Sequence, residues 1–330
     1  SVPLQPRPFQ EIGRRIGTDE DEAIDRVRRL REEEGVIRQV SAIFDTAALG
    51  YASSLVAARV DEDEVEGAAA IINEHPGVSH NYRRADEMQI WFTLAVPPDS
   101  QLGLEGTVDV LKRRTGASVM RLLPTLKLFK IGVKLDLGDH QDGEASSGPA
   151  FSAADRDAAA RHGVTGQDRK VVRVLQQDLP LTPEPFTRWA EEANLSVDQL
   201  LNAGRRFLDR KQMRRFAAVL HHRRAGFSAN VMGVWRVPED EVDRLGPRMA
   251  EFNQVSHCYL RPSYDDWPYN VYTMVHARTR EEAVDTLRRI SESTGIEDYR
   301  PLWTTQEFKK VRVRYFTGEI LAWEKQHANV

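Results

Sequence analysis

The sequence predicts an α+β protein built from two fused copies of one module. Each copy is a winged helix-turn-helix followed by a ferredoxin-like βαββαβ domain, with the two sheets packed face to face. Three observations predict this: a collinear internal repeat, short capped helices at the head of each copy, and the same strand and helix order after them.

The repeat comes first because it changes every later inference. Val36-Ile37-Arg38-Gln39-Val40-Ser41-Ala42-Ile43 corresponds to Gln212-Met213-Arg214-Arg215-Phe216-Ala217-Ala218-Val219. Gly50-Tyr51 corresponds to Gly226-Phe227, and Val78-Ser79-His80-Asn81-Tyr82 to Val255-Ser256-His257-Cys258-Tyr259. Thr115-Gly116, Pro124 and Phe129-Lys130 return as Thr294-Gly295, Pro301 and Phe308-Lys309. Any one match is weak, but a series in the same order at a nearly constant offset is strong.

The repeat divides the chain into a first helix-turn-helix (1–50), a first βαββαβ domain (51–137), a junction (138–166), a second helix-turn-helix (167–226) and a second βαββαβ domain (227–330). The junction contains Gly143-Glu144-Ala145-Ser146-Ser147-Gly148-Pro149, a flexible composition, with a short helix possible over 152–161. In copy two, Val171, Val172 and Leu175 lie at helical spacing, 186–193 starts a second helix, and Ser196 caps a third. Residues 216–220 suit a wing strand. In copy one, 8–16 matches the second helix, Thr18 is the expected cap of a third over 19–33, and the first helix is lacking. The βαββαβ elements are expected at 51–60, 62–73, 78–84, 88–96, 104–115 and 119–129, and again at 227–237, 239–252, 254–261, 270–277, 280–293 and 298–312.

Composition bounds the function. Of 330 residues 41% are hydrophobic and 29% charged, which suits a globular protein. There is no long apolar run for a membrane span, and Ser1-Val2-Pro3-Leu4 does not read as a secretory signal, so a cytoplasmic location is expected. Cys258 alone excludes an internal disulfide and a cysteine-rich metal site. The net charge of −4 does not favour DNA binding as the main task. Phosphate-cradling glycine loops, Gly-x-Ser-x-Gly and His-Glu-x-x-His are all absent from the sequence.

The candidate site lies on the second strand of each βαββαβ domain. Strict alternation places Val78, His80 and Tyr82 on one face, and Val255, His257, Tyr259 and Arg261 on the equivalent face. The structural reading is a histidine and tyrosine satisfying each other in a sheet interface. The functional reading is a paired site in which the imidazoles move protons near neutral pH or ligate iron. Arg38, Arg214 and Arg215 follow the third helices, Arg59 and Arg236 end the first strands, and Arg83, Arg84 and Arg261 follow the histidines. Most arginines are simply solvated, but several converging would suit a polyanion. Trp235, Tyr259, Tyr264, Trp267, Tyr269 and Tyr272 form core or line a slot for a flat ring. His222, within His221-His222-Arg223-Arg224, reads as a solvated turn or a contact to a substrate propionate.

These residues resemble a family. The order of elements, and Leu30-Arg31-Glu32-Glu33-Glu34-Gly35-Val36-Ile37-Arg38 at the end of a third helix, resemble the Lrp/AsnC regulators. The more specific resemblance is to siroheme decarboxylases, whose two subunit types are fused in some members. It rests on Gly50-Tyr51, Val78-Ser79-His80-Asn81-Tyr82 and Trp91-Phe92-Thr93-Leu94 in copy one. In copy two it rests on Val255-Ser256-His257-Cys258-Tyr259-x-Arg261-Pro262 and Trp267-Pro268-Tyr269-Asn270-Val271-Tyr272-Thr273-Met274-Val275-His276.

The resemblance implies loss of carbon dioxide from two acetates of siroheme (C12 and C18), giving didecarboxysiroheme in heme d1 or alternative heme synthesis. It implies catalytic roles for His80 and His257, one of which could instead be an axial ligand of the substrate iron. No separate cofactor and no metal site of the protein's own are implied. The expected substrate-binding residues are Arg38, Arg59, Tyr82, Arg83, Arg214, Arg215, His222, Trp235, Tyr259 and Arg261. The expected partner is siroheme or a related iron tetrapyrrole, with neither DNA nor a membrane, and with a pseudo-dimer inside one chain that could assemble further.

Two other functions compete. One is an Lrp/AsnC-type regulator sensing a tetrapyrrole or an amino acid, and the other is a tetrapyrrole carrier without catalysis. A regulator needs cations where its third helices enter the major groove. Here those helices begin Asp19-Glu20-Asp21-Glu22 and Ser196-Val197-Asp198-Gln199.

Overall fold

The computed structural model describes residues 2–131, 159, 162–220 and 229–328. The expected junction helix and His222 fall on, or almost wholly on, residues outside this set.

Each copy opens with its helical part. In copy one, α1 (Pro8–Ile16) carries Pro8 in its first turn and ends on Gly17 at φ 73°, a left-handed cap. The next helix, α2 (Glu20–Arg28), is capped by Asp19 rather than Thr18. The Asp19 side chain accepts from the Glu22 amide, while the Thr18 hydroxyl donates to the Asp19 carbonyl. A carboxylate in extended backbone both fills an orphan amide and opposes the positive end of the helix dipole. The helix runs on through a π-turn (Arg29–Glu33). In copy two, α5 (Gly166–Leu175), α6 (Thr187–Ala193) and α7 (Val197–Asp209) form the full trio, with capping boxes at Thr165/Asp168 and Ser196/Gln199.

The wing strands bind the two copies together. β1 (Ile37–Phe44) pairs antiparallel with β7 (Met213–Leu220), and Ile37, Val40 and Phe44 share one core with Phe186, Trp189, Phe207 and Phe216. Among the described residues no helix precedes α1, and the segment before it lies across copy two. The Val2 amide donates to the Phe216 carbonyl, and Leu4 packs over Gly204 of α7.

The βαββαβ parts follow. Copy one contributes β2 (Ala52–Arg59), α3 (Val65–Glu74), β3 (Val78–Arg84), β4 (Ile90–Val96), α4 (Gly103–Thr115), β5 (Val119–Leu123) and β6 (Lys127–Ile131). Copy two contributes β8 (Ala229–Trp235), α8 (Val242–Ala250), β9 (Val255–Leu260), β10 (Val271–Ala277), α9 (Arg280–Thr294) and β11 (Tyr299–Lys310).

The expected face-to-face packing takes a specific form. Apart from the β1–β7 pair, the described strands make one nine-stranded sheet in the order β5-β2-β4-β3-β11-β8-β10-β9-β6. The first half of β11 pairs with β8 of its own copy, and its second half crosses to β3 of the other. The stretch β5–β6 does the same in reverse, pairing first with β2 and then with β9. Each terminal strand therefore stitches the two sheets along one edge, which also hides edges that could otherwise recruit other chains.

Between the sheets lies a cluster of Ala57, Met88, Trp91, Val119 and Leu123 with Met232, Val234, Trp267, Tyr269, Tyr272 and Leu302. Trp91 meets Trp267 edge-on at 5.4 Å, and the Trp267 indole donates to the Tyr272 hydroxyl at 2.7 Å. The outer faces are covered by α3 and α4 in copy one and by α8 and α9 in copy two.

One element was not anticipated. The C-terminal α10 (Glu319–His327) docks on copy one, where Trp323 packs edge-on against buried His75 at 4.4 Å and Glu324 accepts from the Gln101 amide and the Ser100 hydroxyl.

Candidate active site

The histidine strands depart from simple alternation. Register shifts interrupt β3 against β4 between Val78 and His80, and β10 against β9 between Met274 and Val275. A bulge spends one extra residue, so side chains beyond it reverse face. Val78 and Val255 accordingly belong to the helix-side cores, not to the face of the histidines. Asn81 and Cys258 also point to the helices, Asn81 donating to the Ala69 carbonyl and Cys258 to the Gly246 carbonyl.

The residues that share the inner face are His80, Tyr82 and Arg84 in copy one, and His257, Tyr259 and Arg261 in copy two. The His80 and Tyr82 rings lie 6.1 Å apart, and those of His257 and Tyr259 5.9 Å. The Arg84 guanidinium sits 5.6 Å from the Tyr82 ring centre, and that of Arg261 4.9 Å from Tyr259 and 5.5 Å from Tyr272. Arg84 donates to the Leu302 carbonyl and Arg261 to the Leu123 carbonyl, each reaching the terminal strand of the other copy. In both arginines the buried Nε has no hydrogen-bond partner. A buried donor without an acceptor is costly, so both are poised to receive one.

Arg84 was missing from the expected set, which held Arg83 instead. Arg83 turns the other way to pair with Glu62. The signal was present in the sequence, since Arg84 stands four residues beyond His80 as Arg261 does beyond His257.

Both histidines are partly buried and neither is sealed. Ser79 Oγ lies 3.0 Å from His80 Nδ1, and Ser256 Oγ lies 2.7 Å from His257 Nδ1. Each serine has a further polar neighbour, Thr93 Oγ1 at 2.7 Å in copy one and His276 Nε2 at 2.7 Å in copy two. Burial pushes the His257 pKa down to about 4, with His276 adding to the effect. Burial also lowers the pKa of His80, and Lys310 and Arg38 press in the same direction against an opposing Glu307. Both imidazoles are thus neutral at pH 7 in the free protein.

The cations gather on the His80 side. Lys310 is its register partner on β11, and Arg38 stands on the wing strand β1. Arg312 donates to Ser41 Oγ at 3.3 Å and feels both Arg38 and Arg215. Other expected residues stand apart. Arg59 faces Glu87 at 3.6 Å, and Arg214 pairs with buried Asp45 at 2.5 Å. Trp235 is enclosed in the helix-side core of copy two, donating to Thr273 Oγ1 and stacked on Tyr299. A separate cavity of about 110 Å³ lies among Tyr51, Arg169, Arg173 and Phe316 and touches neither histidine. It is far smaller than the several hundred Å³ usual for a site that holds a molecule of ordinary drug size. Among the described residues no cluster of His, Cys, Asp and Glu could hold a metal ion, and no helix is long and apolar enough to cross a membrane.

Two helix-turn-helix units carrying stitched βαββαβ sheets define a paired AsnC-type ligand-binding protein. The model of the AsnC-like ligand binding domain matches residues 48–130 and 224–309. The model of the siroheme decarboxylase NirDL-like HTH domain matches 1–38 and 168–214. A siroheme decarboxylase from Hydrogenobacter thermophilus is 36% identical over 98% of this chain and 94% of its own. A siroheme decarboxylase beta subunit from Methanosarcina barkeri is 43% identical over 44% of this chain and 97% of its own, so a single subunit corresponds to about half of this chain. The crystal structure of the siroheme decarboxylase NirDL in co-complex with an iron-uroporphyrin III analogue superposes with a TM-score of 0.78. It is 31% identical and covers 99% of this chain and 95% of that one. This chain belongs to the siroheme decarboxylase family.

Proposed function

We propose that the protein removes carbon dioxide from the C12 and C18 acetates of siroheme, yielding didecarboxysiroheme for heme d1 or alternative heme synthesis. The observation that carries this reading is the pair of His–Tyr–Arg sets brought to the inner faces of facing sheets by matching bulges. The relative bound to an iron-uroporphyrin III analogue supports a tetrapyrrole as the ligand.

Loss of carbon dioxide from a ring acetate leaves an electron pair on the methylene carbon, and that pair must take up a proton. His80 and His257 are the donors in this reading, one at each pseudo-equivalent site. A positioned acid contributes about 10²–10⁴-fold. Arg38, Arg215, Lys310 and Arg312 hold the carboxylates that do not react, and the free donors of Arg84 and Arg261 orient the ring from the inner face. Tyr82 and Tyr259 flank the histidines and supply flat apolar surface. The chemistry needs only protons and a place that excludes water, so no cofactor is proposed, and the iron arrives with the substrate. DNA is not a proposed partner, because α2 and α7 begin with acidic and neutral residues where phosphates would lie. The protein is proposed to act away from membranes in the cytoplasm.

His80→Ala and His257→Ala, assayed anaerobically with siroheme, test the assignment. Each is expected to lose at least about 10²-fold in turnover while siroheme still binds by absorbance titration. Full activity in both variants would overturn the roles given to the histidines.

A further inference from the structure

The two sites differ beyond their serines. Asn230 and His276 face each other across β8 and β10, and the equivalent partners in copy one are Ser53 and Ala95. Copy two alone therefore holds a continuous polar line. Exposed Asn230 Oδ1 lies 2.6 Å from His276 Nδ1, His276 Nε2 lies 2.7 Å from Ser256 Oγ, and Ser256 Oγ lies 2.7 Å from His257 Nδ1. In copy one the line ends at Thr93, a hydroxyl that does not titrate near neutral pH.

We propose that His276, held by Asn230, is the outer station of a proton path that reloads His257 through Ser256. The proposal rests on the reading of His257 as a proton donor. Each decarboxylation runs R–CH2–COO⁻ + H⁺ → R–CH3 + CO2. It consumes one proton at the carbon, and two rounds on one substrate consume two. A donor shut beneath a bound macrocycle needs a supply from behind, and the line runs from an exposed side chain to the Nδ1 edge of His257.

The hydrogen bonds give the path its direction. With Asn230 Oδ1 accepting from His276 Nδ1–H, neutral His276 presents Nε2 as an acceptor for the Ser256 hydroxyl. Ser256 Oγ then accepts from His257 Nδ1–H, and His257 Nε2 is bare. A proton taken up by His276 makes its Nε2 a donor. With His257 as its Nε2–H tautomer, the Ser256 hydroxyl turns to donate to the bare His257 Nδ1. As His257 Nε2 gives its proton to the substrate carbon, the Ser256 proton passes to His257 Nδ1 and the His276 Nε2 proton passes to Ser256 Oγ, so one proton is delivered and the line returns to its neutral arrangement. The Met274 carbonyl, 3.3 Å from Ser256 Oγ, offers the hydroxyl a resting acceptor between these states. In this role His276 is a positioning and supply residue, acting through Ser256 and His257 rather than on the substrate itself.

The test uses the full chain with siroheme under anaerobic conditions. His276→Gln keeps a donor for Ser256 but cannot take up a proton, and is expected to lose about 10²-fold in kcat with KM for siroheme within twofold. His276→Ala is expected to show the same loss, with turnover restored by millimolar imidazole, a readout that a packing role would not move. Wild-type kcat in His276→Gln, or a loss in His276→Ala that imidazole leaves untouched, overturns the path. Full activity in His257→Ala would remove the donor reading itself and the path with it.

Discussion

Ligand binding should draw protons into this protein, and the amount follows from the burial of His257. Its pKa of about 4 in the free protein leaves roughly one molecule in a thousand protonated at pH 7. A tetrapyrrole with several carboxylates brings opposite charge against a partly desolvated imidazole. One such charge within a few ångströms raises a pKa by about 1–3 units. A shift of about three units carries His257 near 7 and corresponds to about 4 kcal/mol of coupling between proton and ligand. Binding at pH 7 is then accompanied by uptake of about half a proton at this site. Uptake grows as the pH falls toward the midpoint between the free and bound pKa values.

The assay is isothermal titration calorimetry with iron-uroporphyrin III as a probe, in buffers of differing ionisation enthalpy, on wild type and His257→Ala. Wild type should show net uptake, and the variant should show less by about the stated amount. Proton release, or identical uptake in the two proteins, would refute the reasoning.

Two further expectations come from the same geometry. His257 has a folded pKa below its ordinary value of 6.5, so its neutral form favours folding above that pH. That contribution is lost as the pH falls from about 6.5 to about 4, at a cost of up to about 3 kcal/mol. Urea unfolding at pH 7.5 and pH 5 should show wild type losing more stability than His257→Ala, and equal losses would contradict this origin. Arg84→Met and Arg261→Met each remove an inner-face cation and the hydrogen bond it donates to the carbonyl of Leu302 or Leu123. Each should cost about 1–3 kcal/mol of stability and weaken iron-uroporphyrin III binding at least about tenfold. Unchanged affinity in both would show that the inner face is not where the ring lies.

Much of this architecture was legible because it repeats. Helix caps such as Ser196 and the Thr115-Gly116 and Thr294-Gly295 stops act within a few residues, so their sequence signals are local. The matched His–x–Tyr strings marked the strands that the site occupies. The bulges at Ser79 and Ser256 were not legible, because a bulge depends on how the neighbouring strand registers. That is why simple alternation puts Val78 and Val255 on the wrong face, whereas Arg84 follows His80 at an even spacing with no register shift against β4 between them, so its face was legible in the sequence. Trp235 drew notice as an aromatic near arginines, yet its indole is spent on Thr273 inside the core. The exchange of terminal strands and the docking of α10 join residues more than a hundred positions apart. The Arg84–Leu302 bond is such a link, and local patterning does not carry it.

The most direct test of the central claim is the mass of the tetrapyrrole after anaerobic incubation of siroheme with the full chain. The account predicts a product lighter by two carbon dioxide units and otherwise intact, formed over many turnovers without any added cofactor. Recovery of siroheme at its original mass, bound to the protein but unchanged, would contradict it and leave a tetrapyrrole-binding protein without this chemistry.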